Sequence, residues 1–140
     1  MKHILTCAIL SMTASICIGC GGGKTPGTIV EDAFSKMLNG DYKEFLEYTY
    51  TPEILYDFKI QILQQSMNPA DEASINELPK KIKIVDEEVK DTLAFVDVVI
   101  TTENDDTKRR KIELTKAGDT WKIMNDDQLQ PVVQLKDTIR

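Results

Sequence analysis

The hydrophobic pattern of this chain changes period once, at Pro79, and that change limits the folds open to it. Ahead of Pro79, apolar residues recur at three- and four-residue spacing, as one face of a helix requires. Thr25-Pro26 offers a capping hydroxyl followed by a proline at the first turn, so a helix opens there. Ile29, Val30, Ala33, Phe34, Met37 and Leu38 share its apolar half. Asn39-Gly40 ends it, because glycine takes a left-handed conformation without a steric penalty. Asp41 opens a second, short helix in which Tyr42, Phe45, Leu46 and Thr49 share a face, and Thr51-Pro52 opens a third that runs to about Met67. Residues 68–79, rich in Asn, Pro, Asp, Ser and Glu, read as a loop with room for one helical turn.

Beyond Pro79 the pattern alternates. Ile82 and Ile84 begin a strand that reaches about Val89, and Lys90-Asp91 turns the chain. Thr92 to Thr102 is the strongest strand, rich in Val, Phe, Ile and Thr. A turn at Glu103–Asp106 leads to a third strand, Lys108–Thr115, with Ile112 and Leu114 inward. Ala117-Gly118-Asp119 makes the next hairpin, and Thr120–Met124 is a fourth strand carrying the only tryptophan, Trp121. Three helices followed by a four-stranded antiparallel meander define an α+β plan, with the helices packed on one sheet face. No internal repeat interrupts it.

Two patterns nominate surfaces. Projected at 100° per residue, the third helix carries one apolar stripe of Ile54, Leu55, Phe58 and Ile62 and another of Tyr56, Ile60, Leu63 and Met67. Such a helix is expected to be covered on both sides, with Tyr56, Ile60, Leu63 and Met67 as candidates to line a cavity for an apolar small ligand. In the second strand, Ala94, Val96, Val98 and Ile100 suit the helix-facing side. Leu93, Phe95, Asp97, Val99 and Thr101 then take the outer face, which is too apolar for open water around Phe95 and Val99. Phe95, Asp97 and Val99 are therefore candidates for a homodimer contact or for contact with an envelope protein.

The first residues carry a different message. Met1-Lys2-His3 is a short basic start, and Ile4–Ile18 an apolar stretch interrupted by Thr6, Ser11, Thr13 and Ser15. That stretch falls short of the roughly 20 apolar residues of a membrane-spanning helix and suits a signal peptide. It ends in Cys17-Ile18-Gly19-Cys20, which resembles the bacterial lipobox, with Cys17 where Leu, Val or Ile is usual. The resemblance implies that Cys20 receives diacylglycerol and becomes the new N-terminus, holding the protein to a membrane through its lipid. Gly21-Gly22-Gly23-Lys24-Thr25 reads as a flexible tether. By the same analogy, Gly21 in place of an aspartate implies the outer membrane of a two-membraned bacterium, with the domain facing the periplasm. The chain thus divides into a signal peptide at 1–19, a lipidated cysteine and tether at 20–25, a domain at 26–126 and a tail at 127–140.

Charge and residue inventory exclude much chemistry. The chain has 17 Lys+Arg against 23 Asp+Glu, and loss of residues 1–19 would leave 121 residues with a formal charge of −7. An acidic domain of this kind is not expected to bind nucleic acid, which rewards positive surface. Lys108-Arg109-Arg110-Lys111 is the one basic cluster, and on a strand its side chains divide between two faces. The single histidine, His3, and two of the three cysteines fall within the signal segment. Histidine triads, cysteine nucleophiles and His/Cys zinc sites are therefore not expected, and neither cofactor nor metal is. Asn104-Asp105-Asp106 and Asn125-Asp126-Asp127 lack the alternating ligands of a calcium loop and suit turns.

The Thr25-Pro26-Gly27 helix start, the Asn39-Gly40-Asp41-Tyr42 junction and the closing Gly118-Asp119-Thr120-Trp121-Lys122-Ile123 resemble nuclear transport factor 2-like (cystatin-like) domains. More narrowly, the chain is similar to bacterial lipoproteins carrying such a domain of unknown function. The resemblance covers about residues 25–125 and implies a curved sheet wrapped on helices, with a cone-like cavity between them. Some relatives with this fold isomerise steroids with a carboxylate and a tyrosine, which makes Tyr42, Tyr48, Tyr50, Tyr56 and Asp97 conceivable partners in an isomerase- or dehydratase-like enzyme. No motif ties these residues together, so no catalytic residue is assigned. The favoured expectation is a non-enzymatic binding or scaffolding lipoprotein of the cell envelope.

Overall fold

A computed structural model of the chain describes residues 23–131; the signal segment, Cys20 and the tail beyond Pro131 lie outside the described residues. Helix α1 spans Pro26–Leu38 and starts as the cap requires, with the Thr28 amide donating to Thr25 Oγ1 at 3.2 Å. A second partner comes from far along the chain: the Gly27 amide donates to Glu87 Oε1 at 2.9 Å. That carboxylate meets the positive end of the helix dipole and ties α1 to the sheet. Gly40, at φ +82°, turns the chain into α2 (Tyr42–Glu47). Asp41 precedes α2 as expected but makes no side-chain cap bond.

A 3-10 turn at Glu53–Leu55 leads into α3 (Tyr56–Ser66), and α4 (Glu72–Asn76) is the helical turn for which the following loop had room. Four strands follow, β1 (Pro79–Lys90), β2 (Leu93–Thr102), β3 (Thr107–Ala117) and β4 (Thr120–Ile123). They form an open antiparallel sheet in the order β1-β2-β3-β4. Its turns use left-handed residues at Asp91, Asp105 and Gly118, which Asp and Gly tolerate best. A register shift between Ile84 and Asp86 places a bulge at Val85 in β1; bulges of this kind bend an edge strand.

Helices α1 and α2 run in opposite directions. Lys36 near the end of α1 pairs with Glu44 in α2 at 3.0 Å, while Lys24 ahead of α1 lies 5.8 Å over the Tyr48 ring that ends α2. The core lies between these helices and one sheet face. Val30, Ala33, Met37, Phe45, Leu46, Val96, Val98, Ile112 and Leu114 are all fully buried there. Side chains of the Leu, Phe or Met size contribute about 1.5–3 kcal/mol each on burial. The final strand closes both layers: Thr49 bridges Ile123 in parallel, and the Tyr50 amide donates to the Ile123 carbonyl at 2.7 Å.

Two features depart from the sequence expectation. The chain does not leave the fold at Asp126; a 3-10 turn at Asp126–Leu129 returns Leu129, fully buried, to the core. A lone leucine among polar residues shows no period, and so gave no sign of this. The two-sided cover expected for α3 is also absent. Its Leu63 side packs inward, with Tyr56, Ile60 and Met67 half-buried against the core. The other stripe is open: Ile54 is 87% and Phe58 64% exposed, with Leu55 and Ile62 less so. The helical layer is one helix deep, and among the described residues nothing lies over α3.

Candidate functional site

The cone-like space between helices and sheet is occupied by the core side chains themselves. A remnant at one end, beside Ile100, Thr102 and Leu129, holds only about 20 Å³, room for a water molecule and no more. The larger opening lies elsewhere. A cleft of about 310 Å³ runs between α3 and the C-terminal 3-10 turn, walled by Leu46, Ile62, Leu63 and Met124, with Lys59, Asp126 and Gln130 supplying polar groups. Its volume is at the lower end of small-ligand sites.

The polar side of that cleft is built from three segments. Asp126 is the only charged side chain buried among the described residues. Lys59 on α3 pairs with Asp126 Oδ1 at 3.5 Å, and Gln130 Nε2 donates to Asp126 Oδ2 at 2.9 Å. Lys59 also donates to Thr51 Oγ1 at 3.4 Å; Thr51 and Thr49 share a 2.6 Å hydroxyl contact, and Thr49 Oγ1 donates to the Leu46 carbonyl at 2.7 Å. A chain of polar contacts thus joins the end of α2, the start of α3 and the C-terminal turn. Among the described residues no buried side-chain nitrogen or oxygen lacks a partner. The arrangement can hold an apolar or amphipathic molecule against Ile62, Leu63 and Met124, with a cation and a carboxylate at one side.

Of the residues nominated from sequence to line a cavity, Leu63 lines this cleft. Tyr56, Ile60 and Met67 pack on the core instead. Burial, reinforced by the carboxylates of Glu47 and Glu53, pushes the Tyr56 hydroxyl above its ordinary value. Asp97 lies on the outer sheet face while all four tyrosines lie in the helical half, so the sheet separates that carboxylate from them. Lys59, Asp126 and Gln130 went unnominated from sequence. Asn125-Asp126-Asp127 reads as turn chemistry, and the one cue was Leu129, whose burial draws the turn inward.

The outer face of β2 carries Leu93, Phe95, Asp97, Val99 and Thr101, all less buried than their inward neighbours. Cross-strand partners give this face a charge order. Val99 lies between Lys83 and Arg109, Asp97 between Asp86 and Lys111, and Phe95 between Glu88 and Glu113. Lys111 also lies 5.9 Å over the Phe95 ring, so long side chains cover part of the apolar surface that the strand pattern exposes. The basic cluster divides as strand geometry requires. Arg109 and Lys111 are exposed on this face, while Lys108 turns to the other side and pairs with Glu77 at 3.3 Å. Among the described residues no group of His, Cys, Asp and Glu is gathered to hold a metal ion, and no helix is long and apolar enough to cross a membrane.

Solved structures share this architecture. A Campylobacter jejuni protein described as a candidate nuclear transport factor 2-like transpeptidase matches with a TM-score of 0.53 at 18% identity, over 72% of this chain and 98% of its own. A SEC-C motif containing protein from Rhodopseudomonas palustris matches with a TM-score of 0.52 at 11% identity, over 79% of this chain and 80% of its own. Identities this low carry the fold alone. No curated protein matches the sequence. A family described as a domain of unknown function, DUF4878, matches residues 18–124, most of the chain. The chain thus belongs to the DUF4878 family, and its fold, with helices packed on one face of an open antiparallel sheet, is similar to that of the nuclear transport factor 2-like Campylobacter jejuni protein.

Proposed function

We propose that this protein is an envelope lipoprotein, anchored through acylated Cys20, whose domain binds a small apolar or amphipathic molecule in the cleft beside α3 and does no chemistry on it. The observation that carries the binding reading is the cleft itself, apolar on the Ile62, Leu63 and Met124 side and polar at Lys59 and Asp126. Its polar groups are engaged with one another, which suits holding a ligand better than activating one. Anchoring rests on the Ile18-Gly19-Cys20 signature and the short glycine tether. An outer-membrane, periplasm-facing position follows from Gly21 by analogy.

Native mass spectrometry of the full chain, purified gently from its host envelope, tests both parts. The expected spectrum shows a chain starting at Cys20 with acyl mass added, and a small molecule that is lost in a Met124→Trp variant. An unmodified N-terminus removes the anchor; a ligand indifferent to Met124→Trp, or no ligand at all, removes the cleft reading. A carboxylate-dependent turnover of the retained molecule would favour the isomerase- or dehydratase-like alternative.

A second reading, contact with another copy through the outer face, is favoured by the charge order around Phe95, Asp97 and Val99. A full-length protein that remains monomeric at high concentration in sedimentation would remove it.

A further inference from the structure

The exposed stripe on α3 begins at the end of the domain where the tether enters. Lys24, the second described residue, is fixed there by its 2.6 Å pair with Asp32 and by the Tyr48 ring. Tyr48 ends α2, and the start of α3 adjoins that same end. Glu47 and Glu53 both bear on the Tyr56 hydroxyl, and the Lys59–Thr51 contact holds the next turn. Because α1 and α2 run in opposite directions, the entry to α1 lies beside the end of α2, and the start of α3 adjoins that same end. Tyr50, Ile54, Leu55 and Phe58 gather at that end, exposed by 64%, 87%, 42% and 64%.

Only three residues separate Cys20 from Lys24, a reach of roughly 14 Å over four Cα–Cα steps at full extension. A domain acylated at Cys20 therefore cannot lift this end far from the bilayer. Aromatic and aliphatic side chains on a short helical face are the groups that settle into the boundary between headgroups and acyl chains. Glu53 and Asp57 flank the stripe, so its charge suits zwitterionic rather than anionic headgroups.

We propose that Tyr50, Ile54, Leu55 and Phe58 form a lipid-contacting surface that seats the tethered end of the domain in the membrane interface. The proposal rests on acylation of Cys20, the anchoring part of the reading above. Seated in this way, α3 would present Ile62 and the cleft beside it close to the lipid surface, from which an apolar molecule could enter.

The test uses the mature, acylated full chain in vesicles of phosphatidylethanolamine and phosphatidylcholine. With Cys20 acylated, Phe58→Cys supplies the one free thiol for a nitroxide; a separate variant labelled at Asn104→Cys, exposed in the turn between β2 and β3, serves as the aqueous reference. The expected result is that the label at 58 collides readily with oxygen and is shielded from a water-soluble nickel chelate, while the label at 104 shows the reverse. Chelate access at 58 equal to that at 104, on protein that still floats with the vesicles, overturns the lipid contact and leaves the anchor standing. A label at 58 shielded from both reagents reports a protein covering and also overturns it. Protein that fails to float removes the anchor and the lipid contact together.

Discussion

Asp126 shows how a buried charge can be held in a small fold. Its carboxylate gives up most of its water and receives in return the Lys59 ammonium and the Gln130 amide. Removing one partner of such a group costs more than the pair itself contributes, because the remaining charge is left under-solvated. Lys59 is about a third exposed, and water can take over part of its role. We therefore expect Lys59→Met to destabilise the protein by about 1–2 kcal/mol in urea unfolding. Adding Asp126→Asn should recover part of that loss, since an amide needs no cation. A neutral Lys59→Met would mean that Gln130 and water suffice, and that the ammonium is free for a ligand.

At the scale of the element, the pH response of α4 turns on one carboxylate. Asp71 accepts the Ser74 amide at 2.8 Å, and this hydrogen bonding holds its carboxyl below the ordinary 3.8. A carboxylate with a lowered folded value stabilises fully above the unfolded value and loses its effect as pH falls through the folded one. Helix α4 should therefore stay capped down to about pH 4 and fray below it. In Asp71→Asn, which keeps an acceptor but cannot titrate, amide exchange across α4 should lose this pH dependence. A carboxyl midpoint for Asp71 at or above 3.8, followed by NMR, would contradict the cap. Elements of this kind were legible in the sequence wherever a local rule decides them. The Thr25 cap, the left-handed turn at Gly40, and the inward and outward faces of β2 all follow from spacing and stereochemistry. The open side of α3 was not legible, because an apolar stripe looks the same whether or not something lies over it. Nor was the cleft, whose residues 46, 59, 62, 63, 124, 126, 127 and 130 are gathered by tertiary packing from three separate segments.

At the scale of the whole molecule, the outer sheet face carries a positive row at Val99 and a negative row at Phe95, with the Asp97 row between them. If two copies stack these faces with their strands antiparallel, the Val99 row of one lies over the Phe95 row of the other. Arg109 then meets Glu113 of the second copy, and Lys83 meets Glu88. Arg109→Glu should weaken such a dimer, and Arg109→Glu with Glu113→Arg should restore it. Two symmetry-related pairs at roughly 0.5–1 kcal/mol each correspond to about tenfold in dissociation constant. Equal weakening by the single and double variants in sedimentation would rule out this registry. One further consequence concerns the order of events in time. The strand that finishes the sheet also fastens the helices, through the Thr49–Ile123 bridge and a bond from Lys122 back to Glu47, 75 positions earlier. Contacts of such separation close large loops and form slowly. A chain still emerging from the ribosome cannot complete its own core until Thr120–Ile123 arrive. Trp121, on that same strand, should report the closure, with its fluorescence changing in the slowest refolding phase and no earlier.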